Sequence, residues 1–420
     1  INRVNGLLSI PQLGLEAGPN RLTGALDLSQ DFLPAGQLAF DFPDLGLLAA
    51  LAGQKAEGNL KGNVTLTNAG GVPAATIRAS GQALTAQGAT LTNPEIDLAS
   101  TDLAALKLQG TLRADQLSVG GQTLSGLALS LAQEGNRTAF DLGATYSNAP
   151  LALSGALNRT PESGDLTLRL DRFSASPGGV AVQLSEPADI RLRSGNVVLE
   201  TIRLAAGGGQ VLVEGSASDQ LNLAMRINRL PAALANGLVS GLGAEGEIGG
   251  VVTVGGPSAK PVVRYSLAWD GAKLARAAEI GPFGLSLRGR FETGVATIDE
   301  ATLEGDDGLS LRASGTVATA DPGTLDLTLD LDAVPAALAN RFRPQLQAAG
   351  TVSGVARIAG TFATPQVRFD LALKGGSTAE TRNAGLAALT AEAVGSFENN
   401  TVAVQRLTTG GGDGISARAD

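Results

Sequence analysis

The sequence predicts an all-β protein, an antiparallel sheet that is built from repeats and carries short helices beginning at proline. Apolar and polar residues alternate along most of the chain, which is the period of a strand with one dry face and one wet face. Residues typical of turns separate the alternating runs, as expected for hairpins. A segment of roughly 100 residues also recurs with its Pro and Gly positions kept.

The alternating runs predict the strands. In each run Leu, Val, Ile, Met or Phe takes one face, and Thr, Ser, Asp, Asn or Arg takes the other. The clearest runs are residues 166–171, 221–228, 285–288, 325–332 and 367–374. Turn chemistry follows at residues 177–179, 194–196 and 306–308. An antiparallel meander of hairpins is therefore expected.

The repeats order these strands into an array. Residues 231–236, Pro-Ala-Ala-Leu-Ala-Asn, recur identically at 335–340, and the same spacing carries Gly246 to Gly350. An earlier copy begins at Pro43. Each Leu/Ala stretch after the proline predicts a brief helix, because proline suits the first helical position. In the second copy Asn236-Gly237 provides a stop signal.

These prolines divide the array, which we expect to be continuous because no Pro-, Ser- or charge-rich linker interrupts it. The predicted regions are a β-repeat remnant over 1–42, a β-repeat region over 43–230 with a short helix near 43–52, one unit over 231–334 and a truncated unit over 335–420. The chain begins at Ile1 rather than Met, and its last residues read as a strand. We therefore expect it to be a piece of a longer protein.

Composition excludes several functions. The chain has no Cys and no His, which removes the usual nucleophiles, general bases and zinc ligands. A net charge of −9 and only 3% aromatic residues argue against nucleic-acid binding. Absence of Cys favours export to an oxidising compartment. The longest apolar run, residues 45–52, is well short of the roughly 20 residues that span a bilayer.

No motif carries catalytic chemistry. The glycine-rich segments 207–209 and 410–412 lack the Lys and Ser/Thr of a phosphate-binding loop, so we interpret them as hairpin turns. Residues 304–308 contain three carboxylates beside a tight turn and are a candidate calcium site, but the corresponding turn at 410–413 keeps only one. Asp330 and Asp332 lie on the polar phase of a strand. We predict no catalytic residue, no metal site and no cofactor.

The apolar face is the remaining candidate for function, and two interpretations are open. In the first, two sheets or the coils of a solenoid bury leucine against leucine in a closed core. In the second, the sheet curls without closing and leaves a Leu- and Val-lined trough for acyl chains. Because alternation is the same in both cases, the residues alone favour the closed core, and the aliphatic lining with few large rings is the one feature on the side of the trough.

Several motifs resemble those of the TamB and AsmA-like family of bridge-like lipid-transfer proteins. They are the Pro-x-x-Leu helix, the Gly-x-x-x-Gly-x-Val start of a strand, the segments 255–261 and 360–365, and the Leu-Asp-Leu-Thr-Leu-Asp pattern at 325–330. The resemblance covers most of the chain and is clearest from about Gly195 onward. It implies an elongated, curved antiparallel sheet, a β-taco with an open apolar groove.

The resemblance also implies a function. Such a protein is tethered to the inner membrane of a diderm bacterium, crosses the periplasm and conducts phospholipid to the outer membrane. It partners a TamA-like barrel-assembly protein, through parts outside this chain, in installing outer-membrane proteins and autotransporters. Acyl chains would lie on Leu166, Leu168, Leu170, Leu221, Leu223, Met225, Ile227, Leu325, Leu327, Leu329, Leu331, Phe369 and Leu371.

The alternative function is that of a secreted or surface β-solenoid, an adhesin or autotransporter passenger with a closed core. It shares the Gly, Ala, Thr and Asn richness and the lack of Cys. The recurring helix and the long repeat disfavour it, since solenoid coils repeat at about 20 to 30 residues.

Overall fold

A computed structural model describes residues 2–4, 7–51, 53–237, 239, 241–275, 281–305, 308–320, 322–411 and 416–419. About 70% of the chain is strand and 9% is helix, so the all-β prediction is confirmed. The described residues form 31 strands, and their pairings are antiparallel. The chain divides into two compact units, Ile1–Ala205 and Ala206–Asp420, and each is considered by itself.

The first unit is an antiparallel meander with three departures from chain order. Neighbours along the chain pair, except that β4 pairs with β6, β7 with β10 and β15 with β17. Strands β5, β8 and β9 form a short branch that joins β11, and β16 pairs with the end of β15. The strands are β1 (Asn2–Val4), β2 (Leu7–Ala17), β3 (Asn20–Leu28), β4 (Pro34–Phe42), β5 (Ala56–Gly58), β6 (Leu60–Thr67), β7 (Ala74–Ser80), β8 (Ala83–Ala86), β9 (Ala89–Thr92), β10 (Glu95–Asp102), β11 (Lys107–Val119), β12 (Gln122–Glu134), β13 (Arg137–Tyr146), β14 (Ala149–Arg159), β15 (Leu166–Ala175), β16 (Val182–Leu184), β17 (Ala188–Arg193) and β18 (Asn196–Ala206).

The second unit is a simple meander, in which each strand pairs with the next from β19 to β31. Its strands are β19 (Gly209–Ala217), β20 (Gln220–Pro231), β21 (Glu245–Pro257), β22 (Val262–Lys273), β23 (Phe283–Glu292), β24 (Val295–Gly305), β25 (Ser310–Ala318), β26 (Thr324–Pro335), β27 (Ala349–Thr361), β28 (Pro365–Ser377), β29 (Leu389–Glu398), β30 (Thr401–Gly411) and β31 (Ser416–Ala419).

The described helices are short. The α-helices are α1 (Leu45–Leu51), α2 (Ala339–Phe342) and α3 (Ala379–Asn383), and the 3-10 turns are Ala69–Gly71, Pro177–Gly179, Ala232–Gly237, Ala336–Leu338 and Pro344–Leu346. The helical turns predicted after the repeated prolines are therefore present. Pro231 and Pro335, however, are the last residues of β20 and β26. Each 3-10 turn begins at the residue after the proline, so the proline precedes the turn and does not occupy its first position.

An asparagine closes each of the two identical repeat segments. The Asn236 side chain donates to the carbonyl oxygen of Ala244 at 3.1 Å and accepts from its amide nitrogen at 2.7 Å. Asn340 makes the same two bonds with Ala348. Each clamp satisfies two backbone groups between a helical turn and the next strand, which explains why the repeated segment ends in Asn.

Candidate functional site

The predicted groove residues lie on four strands: three on β15, four on β20, four on β26 and two on β28. All thirteen are half-buried, and none is either buried or fully exposed. Sheet register decides which of them share a face, because directly paired residues of adjacent strands project to the same side. We call a row of such paired residues across successive strands a register line.

Three adjacent register lines cross the second unit from β20 to β30. The middle line is Ile227, Gly250, Leu267, Leu287, Ala301, Ala313, Leu329, Ala356, Phe369, Gly395 and Val404. The lines on either side run from Met225 to Val402 and from Leu230 to Leu407. None of the three lines contains a charged residue, and Tyr265 carries their only hydroxyl.

The ten predicted residues of the second unit therefore lie on one continuous apolar face. Leu221 and Leu223 extend it beyond the three lines, opposite Gly256 and Val254. Leu325 extends it in the same direction on β26, opposite Val317. The side chains are thus placed together by strand pairing, although they are distant in sequence.

The first unit has its own apolar face. One register line from β2 to β17 is Leu13, Gly24, Leu38, Val64, Ile77, Leu98, Gly110, Leu131, Phe140, Gly155, Leu170 and Ala188. Leu166 and Leu168 belong to the same face, since they pair with Leu192 and Ile190. The three predicted residues of β15 therefore share this surface.

Polar side chains interrupt one margin of that face. Ser100 pairs with Leu108, and Gln133 pairs with Thr138. Thr138 is 1% exposed, and its hydroxyl donates to the carbonyl oxygen of Leu106 at 2.7 Å while accepting from the amide of Leu108 at 2.8 Å. These bonds satisfy backbone groups at the start of β11, so the interruption has a structural cause.

Glycines allow the strands to bend sharply along these faces. Gly250 and Gly354 occupy corresponding repeat positions, with φ of +136° and +142°. A Cβ at either residue would lie 2.1 Å from a carbonyl oxygen of the neighbouring strand, that of Ser266 or Asp370. Only glycine fits this backbone, and glycine kinks of this kind introduce curvature into sheets. The Gly-x-x-x-Gly motif thus has a specific role in the sheet.

The apolar faces bury few large side chains. Among the described residues, the aliphatic and aromatic side chains larger than alanine that are buried are Phe40, Pro94, Leu127, Phe283 and Leu309. The chain exposes 23849 Å², whereas two compact globular domains of half its mass would together expose roughly 18,000 Å². Much of the apolar surface therefore lacks a covering layer.

Two residues of the apolar face were not predicted from the sequence, because they follow β-bulges. The register shifts between Ile227 and Leu230 on β20, and again between Leu331 and Val334 on β26. Leu230 and Val334 consequently return to the apolar face after two intervening residues, not one. An apolar residue three positions after the last apolar residue of an alternating run is the signal that could have identified them.

Tyr265 carries the one hydroxyl group on the three register lines. Its hydroxyl donates to the carbonyl oxygen of Thr297 at 3.1 Å. Burial raises the pKa of the Tyr265 phenol above 10.0, and the negative charge of Asp299 raises it further. The phenol is therefore neutral and hydrogen-bonded, which suits an apolar surface.

The opposite, polar face contains shallow clefts and most of the ion pairs. One cleft of about 730 Å³ contains Arg78 and Asp97, whose side chains form an ion pair at 3.2 Å. Another, of about 610 Å³, contains Arg288 and Glu300, which pair at 2.9 Å. These pairs are exposed, so each adds about 1 kcal/mol of stability or less. The charged residues of both clefts project to the polar side, although Ile227, Leu267 and Leu287 of the middle register line also border the second cleft.

The described part of the chain shows no group of three or more acidic residues placed to hold a metal ion. Asp306 and Asp307 of the candidate calcium turn lie outside the described residues. No described helix has the length and hydropathy needed to cross a bilayer.

Fold and site together define an antiparallel β-sheet protein with an incompletely covered apolar face and glycine kinks at repeated positions. No protein-family model matches the chain, and neither a curated protein nor a solved structure matches it.

Proposed function

We propose that this chain is a lipid-transfer segment whose apolar face binds phospholipid acyl chains and guides them across the strands. The observation that carries the proposal is the set of three register lines from β20 to β30 without a charged residue. The half-burial of the predicted leucines supports it, because a closed core would bury them.

The mechanism follows from the two faces of the lipid. Acyl tails lie against the apolar lines, while headgroups stay in water at the open side of the groove. Each methylene kept from water is worth about 0.8 kcal/mol, so an acyl chain that moves between equivalent apolar sites loses little free energy. Passage then depends on a continuous lining, and the chain itself provides binding without catalysis.

The resemblance to the TamB and AsmA-like family extends this proposal to the cell. The chain would belong to a periplasmic bridge tethered to the inner membrane by a segment outside it, and would deliver phospholipid toward the outer membrane. A TamA-like barrel-assembly protein would be its partner through other parts of the full protein. Outer-membrane protein and autotransporter assembly would depend on the same bridge.

Lipid retained by the purified chain tests the acyl-chain proposal. The chain is purified without detergent, and its bound lipid is extracted and identified by mass spectrometry. The variant changes Leu168, Leu223 and Leu327 to Asp. We expect several phospholipids per native chain and few in the variant, because each new carboxylate makes a stretch of the apolar face unfavourable for acyl chains.

A matched control adds the same three charges to the other face. Thr167 and Asn222 precede two of the mutated leucines by one residue, and Ser286 precedes Leu287 of the middle register line. All three project to the polar side. Changing these three to Asp should leave the bound lipid unchanged. A folded native chain that carries no lipid would reject the proposal and favour the closed-core adhesin.

A further inference from the structure

A third cleft on the polar face of the second unit has an unusual arrangement of charge. It has a volume of about 550 Å³ and is formed by β27, β28 and β29, with Gln405 of β30 at its side. Arg357 and Arg368 line it and are directly paired across the two strands. Both side chains are exposed, so their guanidinium groups are accessible.

Two like charges directly opposite each other in a sheet are destabilising. At other positions on the polar faces, a cation is directly paired with a carboxylate. Lys61 pairs with Asp41, and Arg113 pairs with Glu95. By contrast, neither Arg357 nor Arg368 has an ion-pair or side-chain hydrogen-bond partner among the described residues.

The sequence repeat indicates that the strand geometry does not require the second arginine. In the preceding copy, Thr253 corresponds to Arg357 and Arg264 corresponds to Arg368. Arg264 is paired on its other side with Arg290, but there Asp299 lies 3.7 Å from Arg290. In the Arg357–Arg368 cleft, Asp370 is the one carboxylate among the described lining residues.

We propose that the cleft between Arg357 and Arg368 binds a phosphate group. Planar guanidinium groups bind phosphate oxygens through paired hydrogen bonds, and two of them would share one anion between the strands. Val355 and Val394 add apolar surface beside the arginines, which suits a phosphate attached to a glyceride. The phosphate could belong to an anionic lipid headgroup or be free in solution. Both arginines project to the face opposite the acyl-chain surface, although Phe369 of that surface also borders the cleft. The proposal is independent of the proposed function.

Isothermal titration calorimetry with two probes tests the site and distinguishes these sources. The probes are inorganic phosphate and the soluble lipid dihexanoyl phosphatidic acid, each titrated into the native chain at low salt. We expect the lipid to bind, and Arg357→Thr, which installs the residue of the preceding repeat, to weaken binding roughly 10-fold or more. Arg368→Gln should have a similar effect. If both probes bind, the phosphate group is sufficient for recognition. If the lipid binds and inorganic phosphate does not, the site recognises a lipid headgroup.

Controls separate this site from general electrostatics and from the apolar face. Arg288→Gln removes a cation that is already paired with Glu300, and it should leave the affinity unchanged. The unfolding midpoint of Arg357→Thr should be equal to or above that of the native chain, because repulsion is removed. The proposal is wrong if neither probe binds, if Arg357→Thr binds as well as the native chain, or if Arg288→Gln weakens binding equally. Lipid binding that is unchanged in Arg357→Thr but lost when Leu168, Leu223 and Leu327 are changed to Asp would also overturn the proposal. That result would support the acyl-chain groove.

Discussion

Tyr265 gives the apolar face of the second unit a measurable dependence on pH. Its folded pKa is raised above 10.0, so the folded state holds the phenolic proton more tightly than the unfolded state. That contribution to stability is fully present below about pH 10 and is lost as pH rises through the raised pKa. We expect the unfolding midpoint to fall more steeply above about pH 10 in the native chain than in Tyr265→Phe. Equal slopes for the two proteins would contradict the assignment.

Asn340 tests whether the repeated asparagine is a structural clamp. Asn340→Ala leaves the amide and the carbonyl group of Ala348 without their side-chain partners. Loss of both bonds at a half-buried site should lower the free energy of unfolding by about 1–3 kcal/mol. Chemical denaturation measures the change, and Asn222→Ala on the exposed side of β20 is the control. A loss no larger than that of the control would show that water replaces the clamp.

At the scale of one strand, β21 offers two adjacent glycines with opposite expectations. A Cβ at Gly250 would lie 2.1 Å from the carbonyl oxygen of Ser266, and its φ is +136°. A Cβ at Gly249 would meet only the carbonyl oxygen of Ile227, at 3.7 Å. We therefore expect Gly250→Ala to cost about 3 kcal/mol or more, and Gly249→Ala to be near neutral. Thermal unfolding of the two variants measures the difference, and equal midpoints would argue against a required bend at Gly250.

The strands also show which structural features the sequence predicts and which depend on strand pairing. Alternation placed 221–228, 325–332 and 367–374 in strands with the correct face, because side chains of a strand alternate whatever its partner is. It could not place Leu230, since Arg229 adopts a left-handed φ of 48° and the bulge there depends on pairing with β21. The pairing of Arg357 with Arg368 was equally hidden, because only register brings two exposed residues of different strands together.

At the scale of the whole chain, the large exposed area and the uncharged register lines both indicate apolar surface that is only partly covered. A soluble protein usually covers its long apolar surfaces, since each 100 Å² left in water costs about 2.5 kcal/mol. Here the faces stay partly exposed over many strands, while the residues on them remain almost entirely aliphatic or glycine. An amphiphile that covers this surface would stabilise the fold, which links lipid binding to stability through mass action.

A continuous path also predicts that transport is more sensitive to one defect than binding is. Leu329 lies on the middle register line in β26, near the middle of the strands from β20 to β30, with Ala313 and Ala356 on either side. Leu329→Asp should place a hydrated carboxylate in the path of the acyl chain. About four methylenes span one strand spacing of about 4.8 Å, so losing their burial at this strand should cost roughly 3 kcal/mol.

The two quantities can be measured on the same variant. Bound phospholipid should fall by less than half in Leu329→Asp, because sites on the other strands remain, whereas transfer of fluorescent phospholipid between vesicles should slow about 10-fold or more. Ser286→Asp adds the same charge to the polar face, away from the Arg357–Arg368 cleft, and should affect neither quantity. If bound lipid and transfer rate fall in equal proportion, lipids occupy separate sites on the sheet and do not move along a continuous groove.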